Sequence, residues 1–305
     1  MAHDSAPTDA AGSGGVREAA ARPQAEPADD RSSWAPLRHA AFTVLWTAAL
    51  VSNVGAWMHE LSVGWLMTEL DPSPIMVAIV QSAATLPMFL LALPAGAMAD
   101  ILDRRRLLIG VLLIAAFAAL GLGALTEAGR MTPWLLVLFT LALGAAAAFS
   151  APTWQALIPQ LVPRKDLPAA VVLVGAGGNL ARAVGPALGG VVIGLYGAEA
   201  PFFINAFAFV GVVAALLWWR PAPMLARATP PEHVGGAMRA GVRYALASRP
   251  LRDTLARAVA FFLFAGAFSA LLPLIARREL GAGPEHYGYL QMSVGLGAIA
   301  SVAAL

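Results

Sequence analysis

The chain has 305 residues, of which 59% are apolar and only 12% are charged, and its mean hydropathy is +0.70. Soluble domains carry about a quarter charged residues, so this composition is that of a membrane protein. The formal net charge of +2 is too small to indicate a nucleic-acid partner, and the absence of cysteine excludes disulfides, thiolate metal sites and a cysteine nucleophile.

Residues 1–40 are predicted to form a disordered cytoplasmic tail. They are rich in Ala, Pro, Asp and Ser and contain no long apolar run, so they cannot bury enough surface to become ordered. They also lack the apolar core of a signal peptide.

Apolar runs long enough to cross a bilayer as helices fill most of the remaining sequence. Six complete runs and two further ones lie at 41–68, 75–99, 106–125, 132–151, 168–195, 200–219, 254–276 and 286–305. The pattern predicts an all-α membrane protein with a six-helix N-terminal half at 41–220. A Pro-rich and then amphipathic cytoplasmic linker follows at 221–253, and a second transmembrane half begins at 254–305.

The positions of Lys and Arg predict the orientation, because positive residues near membrane spans are retained in the cytoplasm. With the N-terminus inside, the cytoplasmic segments hold sixteen of the basic residues and the outer loops hold three, with Arg182 inside a span. We therefore expect a cytoplasmic N-terminus.

A weak internal repeat supports the division into two halves. The stretch "ELDPSPIMVAIVQ" at 69–81 matches "ELGAGPEHYGYLQ" at 279–291, with Glu69 and Glu279 each leading its stretch at a separation of 210 residues. If the sixth span ends near 220, its counterpart would end about 210 residues later, so we expect that about four helices are missing after Leu305.

Three motifs together resemble the major facilitator superfamily, in the branch of enterobactin-type exporters and other proton-driven efflux proteins. They are "GAMADILDRRR" at 96–106, "APTWQALIPQLVPRKDLPAAV" at 151–171 and "NLARAVGPALGG" at 179–190. The resemblance implies a transporter of two six-helix halves in a bacterial inner membrane, monomeric when full length. It would move a small-molecule substrate and protons across the bilayer without a cofactor.

The first motif contains Gly96, Asp100, Asp103 and the run Arg104, Arg105 and Arg106. Gly96 would allow two helices to approach closely, Asp100 could accept bonds from amides at a helix start, and the arginines could pair with either aspartate. The resemblance implies a cytoplasmic latch that stabilises the outward-facing state. The alternative is that the arginines only anchor the topology.

Small residues recur at helical spacing in the fifth span. Gly178, Arg182, Gly185, Pro186 and Gly189 are predicted to share one helix face, and the antiporter-like motif comprises Asn179, Arg182, Gly185, Pro186, Gly189 and Gly190. The resemblance implies that this segment packs on a helix of the other half and limits leakage. A purely structural role and a gating role both stay open.

Glu60 and Arg182 are charged residues within spans, with His59 beside the former. An unpaired cation in mid-membrane costs at least about 2.5 kcal/mol, so Arg182 should face a partner or a wet cavity. Glu60 is a candidate proton carrier, and His59 and Arg182 complete the set of proton-coupling candidates. Alternatively, Glu60 pairs with Arg182 despite a height offset of roughly 8 Å, or lies in an outer vestibule.

Further polar and aromatic residues in or near the spans are candidates for lining a substrate cavity. The alternative is that they bridge helices or lie at the headgroups. These residues are Asn53, Trp57, Gln81, Trp154, Gln155 and Asn205.

The functional hypothesis is therefore proton-coupled efflux of a hydrophobic or amphipathic small molecule, such as a drug or siderophore. An importer or lipid translocator of the same fold is the first alternative. A multispan enzyme is the second, although none of the five histidines has metal-ligand spacing and no phosphate-binding Gly-Lys loop occurs.

Overall fold

The computed structural model describes residues 33–220 and 247–303. Eight α-helices lie in these two ranges, in which no β-strand occurs, and six of them are long and apolar enough to cross a membrane. They are α1 (Ala40–Leu70), α2 (Pro74–Ile101), α3 (Arg104–Glu127), α4 (Pro133–Leu157), α5 (Leu167–Tyr196), α6 (Ala200–Trp218), α7 (Arg249–Arg278) and α8 (Pro284–Ala303). This architecture confirms the predicted all-α membrane fold.

The helix bounds lie within a few residues of the predicted spans, with two corrections. The predicted tail is ordered at its end, where the 3₁₀ helix Ala35–Arg38 has Pro36 buried and the Thr43 hydroxyl donates to the Leu37 carbonyl at 2.8 Å. Helix α7 begins at Arg249, inside the predicted linker, because its polar first turn continues the helix beyond the apolar run. The rest of the tail and of the linker, at 1–32 and 221–246, lies outside the described residues.

Side-chain caps and prolines mark where the helices start. The Ser73 hydroxyl accepts from the Met76 amide at 3.2 Å, and the Thr132 hydroxyl accepts from the Leu135 amide at 3.3 Å. Such caps satisfy amides that have no partner within the helix. Pro74 begins α2 and Pro284 begins α8, so the prolines of the sequence repeat occupy the same position in their helices.

Helix neighbours follow a simple order. Helix α4 packs between α2 and α3, and α1 packs between α5 and α6. Helix α3 lies against α6. Of the last two helices, α8 packs on α5, and α7 contacts α1 and α2. We call the two ends of this bundle the Arg104 end, where α2, α4 and α6 finish, and the Arg277 end, where α1, α5 and α7 finish.

Gly144 allows the close contact between α4 and α2. A Cβ atom at this position would lie 2.6 Å from the Ala84 carbonyl oxygen and 3.2 Å from Pro87 Cγ. Small residues permit such contacts in membranes, where helices associate by van der Waals packing.

We expect Gly144→Ala to lower the free energy of unfolding by about 1–3 kcal/mol, because the added methyl group would meet backbone that cannot yield. The measurement is thermal unfolding of the full-length protein in detergent. Gly110→Ala in α3 is the matched control, since nothing lies within 4 Å of its added methyl group. Equal stability of the two variants would contradict the proposed contact.

Candidate functional site

Two arginines of the predicted latch motif hold the ends of three helices. Arg104 donates to the Ala99 carbonyl at 3.2 Å and to the Ala156 carbonyl at 3.0 Å. Arg105 donates to the carbonyls of Leu216 and Leu217 at 2.7 and 3.0 Å. These four carbonyls belong to the last turns of α2, α4 and α6, where helices lack internal donors and carry partial negative charge.

The other residues of this motif have different surroundings from those expected. Asp103 is the N-cap of α3 and accepts a hydrogen bond from the backbone amide of Arg106 at 2.8 Å. Its carboxylate therefore caps the helix. Within the described residues, nothing lies within 4 Å of a Cβ at Gly96, so the expected close helix approach is not found there. The side chain of Asp100 lies outside the described residues.

The small residues of α5 serve two neighbouring helices, which corrects the prediction of a single face. Gly185 and Gly189 face α1: added Cβ atoms would lie 2.5 Å from Trp57 Cβ and 3.0 Å from Met58 Cα. Gly178 instead has no atom within 4 Å of an added Cβ among the described residues. Earlier on α5, Gly177 also faces α1, where a Cβ would lie 3.4 Å from Trp46 Nε1, and Trp46 donates to the Leu173 carbonyl at 3.1 Å.

A second side of α5 lies against α8. A Cβ at Gly190 would lie 2.5 Å from the Pro284 carbonyl oxygen, and a Cβ at Gly288 would lie 2.5 Å from the Pro186 carbonyl oxygen. Glycines on both helices therefore let the backbones meet, and α5 joins the first six helices to α8.

Arg182 lies on an exposed side of α5, between its contacts with α1 and α8. Its guanidinium carbon lies over the Trp57 ring, with Cζ 5.0 Å from the ring centroid, as in a cation–π interaction. Asn179, one turn earlier, is also exposed. On α1, Asn53 and Glu60 are exposed as well, and we call the sides of α1 and α5 that carry these groups the central face.

Glu60 attracts Arg182 electrostatically without forming a direct ion pair. Ion pairs within 4.0 Å among the described residues include His39 with Asp166 and Arg277 with Glu69, whereas the Arg182 guanidinium is placed on Trp57. Along the bundle axis, Gly185 of α5 lies at the height of Val54 and Trp57 of α1, and Gly189 lies at the height of Met58 and Leu61. Glu60 therefore lies nearer the Arg277 end than Arg182 does.

His59 and Asn205 do not join this group, which corrects their assignment to the pathway. His59 is 8% exposed and its ring contacts the Phe202 ring at 4.8 Å, while Asn205 is 2% exposed and lies against Gly55. Both are buried between α1 and α6, since successive residues of a helix point about 100° apart. His59 Nδ1 and Asn205 Oδ1 make no hydrogen bond with the described residues.

The remaining cavity candidates are divided between the two ends. Gln155 is exposed and Trp154 half-buried near the end of α4, at the Arg104 end. Gln81 is half-buried toward the Arg277 end, where its Nε2 would lie 3.5 Å from a Cβ at Gly64. Gln81 thus belongs to the contact region between α1, α2 and α8.

The Arg277 end is closed by contacts that the sequence analysis did not predict. Tyr287 of α8 is fully buried, its hydroxyl would lie 3.1 Å from a Cβ at Gly64, and it accepts from Gln291 Nε2 at 3.3 Å. Its ring stacks on Trp65 with a centroid separation of 6.3 Å. Gln81 and Gln291 occupy equivalent positions in the repeat, and Gln291 donates to this hydroxyl while Gln81 lies near Gly64.

Arg277 extends the same contacts from α7. It donates to the Thr68 hydroxyl at 3.0 Å, lies 3.9 Å from a Glu69 carboxylate oxygen and stacks over the Trp65 ring at 5.5 Å. We call Trp65, Thr68, Glu69, Arg277 and Tyr287 the closing cluster. The two repeat segments, 69–81 and 279–291, could have indicated this cluster, because each begins at the end of a helix, α1 or α7.

Helix α7 contacts the first six helices near this closing cluster. Leu272, Pro273, Leu274 and Ala276 are buried, whereas the described side chains of α7 from 252 to 268 are exposed. The closing cluster therefore joins α7 and α8 to the first six helices at the Arg277 end. A separate apolar groove of about 520 Å³ between α1 and α6 includes Val51, which lies on the side of α1 opposite Asn53.

Comparison with known proteins agrees with this geometry. A family model described as transmembrane secretion effector, within the major facilitator superfamily, matches residues 31–305. The chain is 26% identical to an uncharacterized MFS-type transporter of Bacillus subtilis, over 83% of this chain and 60% of the relative. It is 27% identical to the staphyloferrin A transporter of Staphylococcus aureus, over 53% of this chain and 42% of the relative.

A third similar protein is the multidrug efflux pump Tap of Mycobacterium tuberculosis, which is 30% identical over 56% of this chain and 42% of the relative. The chain thus spans about three fifths of the Bacillus relative and about two fifths of the other two.

We expect Arg105→Gln to lower the free energy of unfolding by about 1–2 kcal/mol, because two carbonyls at the end of α6 lose a charged donor. Thermal unfolding in detergent measures the effect. Arg106→Gln is the control, since among the described contacts this residue bonds through its backbone amide, and it should change stability by less than about 0.5 kcal/mol. An equal loss of stability in both variants would show that the effect comes from the change in net charge and not from the bonds to α6.

We expect Arg277→Gln to increase the fraction of molecules in which the closing cluster is open. Losing a partly exposed charged contact costs up to about 1 kcal/mol, or roughly a fivefold shift in the open population. Because the chain has no native cysteine, a single Gln81→Cys reporter can be labelled with a membrane-impermeant maleimide from the Arg277 side. The labelling rate should rise in Arg277→Gln and stay unchanged in the neighbouring Arg278→Gln, and an equal rate in both would contradict the cluster.

Proposed function

The chain belongs to the transmembrane secretion effector family of the major facilitator superfamily, and from this premise we propose that it functions in a secondary transporter. The transporter exports a hydrophobic or amphipathic small molecule by alternating access across a bacterial inner membrane. Residues 41–220 form its N-terminal half, 221–253 its cytoplasmic linker and 254–305 the start of its second half. The complete protein acts as a monomer.

The observation that carries this proposal is the position of Glu60 and Arg182. They lie on the exposed central face, between the closing cluster and the Arg104 end. Charged groups inside a membrane are costly unless they face a wet pathway or a partner. A polar site at mid-membrane, closed on one side, is the arrangement that alternating access requires.

Orientation follows from the distribution of basic residues. The Arg104 end carries Arg104, Arg105, Arg106, Arg164 and Lys165 within the described residues, and we assign it to the cytoplasm. The closing cluster then lies on the outer side of the membrane, and we propose that it is part of the outer barrier. Export is the proposed direction because similar proteins include a multidrug efflux pump and a macrolide efflux protein.

The arginine contacts give the latch motif a physical role in this cycle. Arg104 and Arg105 hold the ends of α2, α4 and α6 together, so the cytoplasmic ends of these helices move as one body. Rocking of one half against the other needs such rigid units.

Glu60 is the proposed proton carrier. It lies one helical turn from Gly64, where Tyr287 closes the outer side, and it is exposed to the central face. A carboxylate placed beside the barrier can exchange protons with one side of the membrane before the barrier opens and with the other side afterwards.

We expect Glu60→Gln to abolish substrate-driven proton movement, with a fall of at least about tenfold, because glutamine cannot release a proton. The measurement is proton flux in inverted vesicles containing the full-length protein, with ethidium, erythromycin and staphyloferrin A as probes. Glu127→Gln, at the exposed end of α3, is the matched control and should behave as the wild type.

Proton movement that survives unchanged in Glu60→Gln would exclude Glu60 as the carrier. Absence of movement of every probe by the wild-type protein, together with movement of labelled phospholipid between leaflets, would favour lipid translocation. Probe accumulation in the opposite direction would favour import.

A further inference from the structure

We propose that Arg182, with its guanidinium carbon over the Trp57 ring, is the subsite that binds a carboxylate group of the transported molecule. The substrate class is then an amphipathic carboxylate, with an apolar body along the bundle and an anionic group at mid-membrane. This inference rests on the proposed transport function and adds the chemistry that the site recognises.

The hydrogen-bonding capacity of Arg182 is unused within the described chain. The contacts recorded there are the stacking on Trp57 at 5.0 Å and the electrostatic attraction to Glu60. No described residue accepts a hydrogen bond from its guanidinium or forms an ion pair with it within 4.0 Å. The described arginines at the two bundle ends behave differently, because Arg104, Arg105 and Arg277 all donate to protein oxygens.

A carboxylate suits the donors of Arg182. The guanidinium carbon lies over the indole of Trp57, and no described residue accepts from its N–H groups. A carboxylate can accept two parallel N–H bonds from a guanidinium, and this geometry is both strong and specific to arginine. The stacked ring also restricts side-chain motion, so less conformational freedom is lost on binding.

Neighbouring groups complete a site of the right polarity. Asn179 lies one turn from Arg182 on the exposed side of α5, and Asn53 lies one turn from Trp57 on α1; their amides can donate to a second oxygen of the ligand. Glu60 lies farther toward the closing cluster, so it balances the cation electrostatically without occupying its donors.

Binding of a matched pair of brominated probes tests the subsite directly. The full-length protein is placed in phosphatidylcholine vesicles, and quenching of tryptophan fluorescence is followed with 11-bromoundecanoate and with the uncharged 11-bromoundecanol. Trp57→Phe identifies the share of the total tryptophan quenching that comes from Trp57. Both probes should quench Trp57, with the carboxylate bound more tightly.

Arg182→Gln should weaken binding of 11-bromoundecanoate by about tenfold and leave 11-bromoundecanol unchanged, because a charged hydrogen bond is lost. Arg182→Lys should show a smaller loss, since it keeps the charge without the planar fork. If Arg182→Gln does not fold, the carboxylate-specific loss in Arg182→Lys decides the question. Arg130→Gln, in the exposed α3–α4 connection, should bind both probes as the wild type does.

Three outcomes would overturn the proposal. The first is unchanged carboxylate binding in Arg182→Gln, and the second is an equal loss of both probes, which would indicate a structural role. The third is complete displacement of the carboxylate by phosphatidylglycerol at ordinary bilayer content, which would identify the ligand as a lipid phosphate. A wild-type protein that binds the carboxylate selectively but transports no probe would contradict the proposed function and leave the anion subsite standing.

Discussion

The structure depends on how closely α5 can approach two neighbours at once. Gly185 and Gly189 let it meet α1, and Gly190 with Gly288 lets it meet α8, at distances where a Cβ atom would contact backbone. Without water to drive association, helices in lipid hold together by such close packing. The contact with α1 also presses Trp57 against α5, and this places the indole where the Arg182 guanidinium can stack.

Arginine has three different uses along the axis of the bundle. At one end, arginines donate to carbonyls at helix ends that would otherwise have no donor. This use is structural, because the bonds tie helices of the same half to one another. At the other end Arg277 joins helices from the two proposed halves, so its contacts must break if the halves separate. In the middle, no described residue accepts a hydrogen bond from Arg182, whose guanidinium carbon lies over Trp57. In the proposed subsite these donors bind the substrate.

Much of the fold could be predicted from the sequence, whereas only part of the candidate site could. Glu60 and Arg182 were identifiable because a charge inside an apolar run is costly wherever the helix lies. Tyr287 and Trp65 were missed because aromatic residues are common in spans and nothing local marks a contact between α1 and α8. His59 was grouped with Glu60 because it is adjacent in sequence, yet its ring contacts Phe202 of α6. Because successive side chains on a helix point about 100° apart, a shift of one residue moves the side chain from the central face to the interior of the bundle.

By itself, the sequence determined that this is an all-α membrane protein, which charged residues lie within apolar runs and, except at the start of α7, the helix bounds to within a few residues. These properties depend on the local chain: about 20 apolar residues, a capping side chain, a proline at a helix start. The tertiary structure alone decided which sides of α5 face α1 and α8, that Arg104 and Arg105 bind carbonyls, and that one end is closed. Those features arise from contacts between residues far apart in the chain, which no local pattern encodes, because helix packing depends on the shapes of both surfaces.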